Sequence, residues 1–93
     1  MKYLAITLAL AGSQAVAQNC ASHDVIVEHL AKEFQETRQS VALDGVGNMV
    51  EVFASEAGTW TLTVTQPGAP TCLVMAGVAY QLVDEPLTLG EKG

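Results

Sequence analysis

Two cysteines, Cys20 and Cys72, bracket most of a 93-residue chain that holds no others. A domain this small buries only about 60–65% of its unfolded surface and usually needs a covalent staple. Whether the two sulfurs join depends on the compartment, and the first residues speak to that. MKYLAITLALAGSQAVAQNC opens on a short positive region at Lys2, runs through an apolar core at Tyr3–Ala11, and reaches Ala15-Val16-Ala17. These are the parts of a secretory signal peptide, predicted to span 1–17 and to be cleaved. The apolar core is too short to cross about 30 Å of hydrocarbon. Lipid attachment at Cys20 would want a small residue before it, where Asn19 stands. The chain is therefore expected to be periplasmic or secreted, and there a Cys20–Cys72 disulfide forms. Closing a loop of about 50 residues stabilises by roughly 4 kcal/mol in the chain-entropy model. The spacing excludes a Cys-x-x-Cys redox pair, and two cysteines alone cannot complete a structural zinc site.

Cleavage leaves 18–93, with Lys32, Arg38 and Lys92 against ten carboxylates, a net charge of −7. Nucleic acid needs Lys and Arg to neutralise phosphates, so it is not an expected partner. Anionic lipid is excluded on the same ground, so no membrane association is expected once the leader is removed.

Ser22 is placed to cap a helix, with Asp24 in its first turn at the positive end of the dipole. At 100° per residue Ile26, Val27, Leu30, Ala31 and Phe34 share one arc, while Glu28, Lys32, Gln35 and Glu36 lie opposite. This predicts an amphipathic helix over His23–Arg38. Beyond Ser40 the period becomes two. Strands are expected at Val41–Asp44, Met49–Ala54, Thr59–Thr65 and Thr71–Ala76, separated by the turn signals at Gly45–Asn48, Glu56–Gly58 and Gln66–Pro70. Gly77 is expected to bulge or end the last of them. Short connections favour antiparallel pairing. The expected fold is α+β: one N-terminal helix packed on a three- to four-stranded antiparallel meander over 18–85, with one disulfide and a flexible tail over 86–93.

In the strand Thr59–Thr65, Thr59, Thr61, Thr63 and Thr65 alternate with Trp60, Leu62 and Val64. Alternation predicts the apolar three against the helix and the hydroxyls in water. The flanking strands are apolar at both parities. With Val50, Val52 and Val74 facing the helix, Met49, Phe53, Leu73 and Met75 flank the threonines on the open face and become candidate partner-binding residues. The tail, through Leu82, Leu87 and Leu89, a second copy, or another protein are the candidate covers of that face.

No catalytic arrangement is found. No serine sits in a Gly-x-Ser-x-Gly turn, the glycines form no phosphate-binding fingerprint, and Glu51 and Glu56 form a carboxylate pair without an evident cleft. His23 and His29 are expected on the surface. His29 and Glu33 have i,i+4 spacing but lack a third ligand, so no metal and no cofactor are expected.

The run Glu51-Val52-Phe53-Ala54-Ser55, then Gly58-Thr59-Trp60-Thr61, Cys72-Leu73 and Gly77, preceded by Cys20 and the acidic helix, resembles a group of small exported proteins of Alphaproteobacteria. The resemblance implies a bacterial envelope protein. It carries no catalytic or binding residue to transfer. The expected function is a non-catalytic protein-binding or envelope accessory module, acting through the sheet face on a partner or as a homodimer. The alternatives are an inhibitor of an extracellular enzyme presenting Gln66–Pro70, and a metal-responsive protein using His29 and Glu33.

Overall fold

The computed structural model describes residues 19–88. The predicted signal peptide at 1–17 and the end of the predicted tail, including Leu89, lie outside them. The sequence pattern settles into β1 (Cys20–Ala21), α1 (His23–Phe34), β2 (Thr37–Leu43), β3 (Met49–Ala54), β4 (Trp60–Thr65) and β5 (Thr71–Gly77). The five strands form one sheet in the order β1-β5-β4-β3-β2, every neighbour antiparallel. Strands β2 to β5 form a meander, and α1 carries the chain across one face from the β1 edge to the β2 edge.

The expected three- to four-stranded meander under one helix is thus corrected. Among the described residues there are five strands and one helix of 12 residues, so the domain is mostly β. Two local causes account for the difference. The helix stops at Phe34 rather than Arg38, because Gln35 takes the left-handed conformation (φ 54°). Its N–H donates to Ala31 O, and the Glu36 N–H donates back to Leu30 O, which closes the last turn and turns the chain away. Thr37 and Arg38 are thereby released to begin a strand that runs to Leu43. The fifth strand, β1, is two residues long and sets Cys20 opposite Cys72 in the ladder. The disulfide between them is formed and spans 52 positions. Leu73 N–H donates to Asn19 O at 2.8 Å and extends the same pairing.

The helix begins at Ser22, whose carbonyl accepts from Ile26 N–H, but the Ser22 hydroxyl makes no capping bond. Ile26 and Leu30 point down onto Phe53, with Ala21 and Leu73 packed around them. That contact fixes which face is inside, and it reverses the expected facing. Phe53 pairs across the ladder with Thr61, and Glu51 with Thr63, so the threonine parity lies beneath the helix. Thr61, Thr63 and Thr71 are buried, and Thr65 is half-buried with its hydroxyl 2.6 Å from that of Thr71. The physical reason is cross-strand: the largest apolar side chain of the sheet interior, Phe53, shares its row with a threonine. A short helix also sits closer over small side chains than over leucines. Within β4 alone the alternation is ambiguous; the neighbours decide it.

Val50, Val52, Leu62 and Val64 consequently occupy the face away from α1, where they are half-buried. A bulge at Val74, between the Leu62–Met75 and Thr63–Leu73 pairs, returns Met75 to that face. Of the two roles expected of Gly77, it takes the second and ends β5. The indole of Trp60 lies against it so closely that a Cβ there would meet the ring at 2.9 Å. Trp60 Nε1–H donates to Val78 O at 3.2 Å, and Tyr80 N–H to Gly58 O at 2.9 Å, which anchors the chain as it leaves the sheet. Residues 78–88 then run without helix or strand, with Leu82 and Leu87 77% and 80% exposed. Those two leucines do not cover the open face. No helix among the described residues is long and apolar enough to cross a membrane.

Candidate functional site

The densest chemistry lies where α1 starts. Glu51 is the only charged residue of β3, and its side chain is fully buried (0% exposed) beneath the first turn of the helix. His23, the first residue of α1, places Nε2 2.8 Å from Oε1 and 3.1 Å from Oε2. A carboxylate only accepts, so Nε2 carries the hydrogen. From β2, Arg38 donates through Nη1 to Oε2 at 2.9 Å. One buried carboxylate therefore joins three elements: the helix start, the edge strand β2 and its neighbour β3. Removing an ionised group from water is costly without partners, and His23 and Arg38 supply them. Thr63, paired with Glu51 across the ladder, has a buried hydroxyl with no hydrogen-bond partner.

A groove of about 440 Å³ opens between α1 and β2 beside this cluster, lined among others by Val27, Ala31, Phe53 and Glu36. Both Glu51 oxygens are engaged and shielded, and their bonds tie the helix start and β2 to β3. Sequence reasoning does not find this cluster. The available signal is Glu51 itself: a lone charge inside an apolar strand needs a cation, and Arg38 lies one hairpin away. His23, expected on the surface, is part of that cluster.

The four candidate binding residues do not come together on the open face. Phe53 is the centre of the core, 1% exposed; Leu73 packs against it; Met49 is half-buried on the same helix side. Met75, 54% exposed, is the one that reaches the open face. Cys20 and Cys72 stand where expected, bonded to each other. His29 packs its ring edge-on against Phe34, with centroids 5.7 Å apart. The described residues hold no group of three or more His, Cys, Asp or Glu side chains able to take a metal. Glu56 is exposed in the turn after β3, while Glu51 is sealed beneath α1, so the two carboxylates share no cleft. The Gln66–Pro70 loop is a compact turn, with Ala69 N–H donating to Gln66 O at 3.0 Å.

The other candidate surface is the open face. Ser40 and Ala42 of β2, Val50 and Val52 of β3, Leu62 and Val64 of β4, and Met75 of β5 meet across it in register. None is charged, while the acidic side chains of the described residues lie on the helix, under it, or in turns and the tail. Compared with known proteins, the chain matches no protein-family model, no curated protein and no solved structure.

Proposed function

We propose that this protein is an exported, non-catalytic binding module of the bacterial envelope, working in the periplasm or outside the cell through its open sheet face. We further propose that a second copy of the chain occupies that face. The observation that carries this reading is the composition of the face: Val50, Val52, Leu62, Val64 and Met75, without a charge among them, left uncovered by Leu82 and Leu87. An apolar face of this kind is normally packed, and two such sheets stack at about 10 Å to form a sandwich. Among the described residues the core on the helix side is thin, with only Ile26, Leu30 and Phe53 as its large buried apolar residues. A second layer supplies apolar burial that a single small sheet lacks. The net charge of −7 left once the predicted leader is removed opposes self-association, but two faces free of charge meet with the carboxylates pointing away. The disulfide and the predicted leader support the exported setting. The closed hydrogen bonding of Glu51 supports a role in holding structure rather than in catalysis.

Sedimentation equilibrium of the purified protein tests the assignment. The expected result is a dimer that dissociates on dilution, and a monomer with unchanged circular dichroism on Leu62→Asp or Val52→Asp. A wild-type monomer at every concentration overturns the self-association. So does a dimer that survives both substitutions, since its contact then lies elsewhere.

A further inference from the structure

Under the C-terminal half of α1, on the β5 side, a second cleft of about 340 Å³ is bounded by Leu30, Phe34, Thr61 and Leu73, with His29 and Trp60 at its borders. Glu36 reaches it from the turn that ends the helix. Its N–H is fixed to Leu30 O at 3.0 Å, and the residue, which stands between this cleft and the groove beside Glu51, is only 2% exposed. Yet Glu36 Oε1 is buried with no hydrogen-bond partner. A buried carboxyl group in that state is costly, and no cation among the described residues relieves it. Lys32 pairs on the surface with Glu28 at 2.8 Å, and Arg38 is held by Glu51.

The helix end and the lining of the cleft favour a positive guest. The last carbonyls of α1 present the negative end of the helix dipole within a turn of it. Phe34 lines the cleft beside His29, and a cation near a phenyl face is attracted to it. Leu30 and Leu73 make walls suited to methylenes. An anionic ligand would meet Glu36 head-on, and a metal ion would lack ligands.

We infer that this cleft binds an organic cation, a guanidinium or primary ammonium group on an alkyl stem, with the Glu36 carboxylate as its counterion. The stem lies along Leu30 and Leu73, and the head group donates to Oε1. The cleft lies on the helix side of the sheet, so this site is independent of the proposed self-association and stands or falls separately. The same chemistry is offered by a free alkyl amine or guanidine and by a Lys or Arg side chain of a polypeptide.

The test is a titration of the full protein with n-butylguanidinium and n-butylammonium, against n-butanol as the neutral isostere, followed by amide and carboxyl chemical shifts. Saturable binding of the cations is expected, centred on Leu30, Phe34, Glu36 and Leu73, with no saturation by butanol. Glu36→Gln, which keeps the shape and removes the charge, should weaken binding about tenfold or more, the loss of one charge-assisted hydrogen bond. Should that variant fail to fold, the Glu36 carboxyl carbon resonance of the wild type decides the same question, since it must shift with the cation and stay still with butanol. A capped Ala-Arg-Ala peptide that binds at least as tightly as butylguanidinium assigns the site to a protein side chain, and selective binding of the free cation assigns it to a small molecule. No saturable binding of any of the cations, or binding unaffected at Glu36, overturns the site.

Discussion

Thr63 and Thr71 are both completely buried on the helix side of the sheet, yet they are unequal. The Thr71 hydroxyl bonds to that of Thr65 at 2.6 Å, whereas Thr63 Oγ1 has no partner. A buried hydroxyl without a hydrogen bond costs about 1–3 kcal/mol, and replacing it with an isosteric methyl removes that penalty. Thr63→Val should therefore stabilise the domain by about 1 kcal/mol, raising the melting temperature by roughly 4–8 °C. Thr71→Val should lower it by a similar amount, because it breaks a bond and strands the Thr65 oxygen. Thermal melts of the two variants at one protein concentration check the pair; equal signs would mean that the two hydroxyls are equally well, or equally badly, partnered. At this scale the sequence is least legible. Thr61, Thr63 and Thr65 are hydroxyl-bearing and are equally at home in water or under a helix, because a threonine methyl packs like that of valine. Only the neighbour across the ladder distinguishes the two, and a linear pattern does not contain it. Glu51 is the exception, a charge whose apolar company declares that it must be paired.

Turns and element ends show the opposite balance. The Asp44–Asn48 turn is legible because its residue types have one use: Asp44 Oδ1 accepts from the N–H groups of both Val46 and Asn48 at 2.9 Å, and Oδ2 from the Asn48 side chain. These bonds, the Asn48 N–H foremost, hold the Asp44 carboxyl below its ordinary value of 3.8. A depressed carboxyl contributes stability that is present above its unfolded value and is lost as the pH falls through the lower folded one. Urea melts from neutrality down into the acid range should thus show a steeper acid-side loss for the wild type than for Asp44→Asn, with the difference confined below about pH 4. Parallel curves would remove the turn from the acid response. The helix follows from its periodicity, and its start falls where the pattern puts it. Its end comes four residues early because Gln35 is not a glycine, the usual mark of a left-handed stop. Strand β1 escapes a reading of the sequence because two residues carry no periodicity; what makes them a strand is the sulfur opposite.

On the scale of the whole molecule, the disulfide does more than close a loop. It holds β1 on β5, and β1 in turn delivers His23 to Glu51 and Ala21 to the core. The covalent bond and the non-covalent tie at the helix start therefore fail together. In the chain-entropy model, losing a loop of about 50 residues costs roughly 4 kcal/mol. Small domains of this kind hold only about 5 kcal/mol or little more. The double variant Cys20→Ala with Cys72→Ala, compared with the oxidised wild type at equal concentration, should melt roughly 20 °C lower. Its first opening should be local: the Leu73 amide, bonded to Asn19 O, should lose hydrogen-exchange protection well before the amides of the β3–β4 ladder. If the melting point falls only slightly and Leu73 stays protected, the sheet holds β1 unaided and the sulfur bridge is incidental to the fold. A large drop that leaves the β3–β4 amides as protected as before separates two roles. The meander would then be a unit of its own, and the bridge would serve to dock the helix over it, keeping Glu51 and Glu36 out of water.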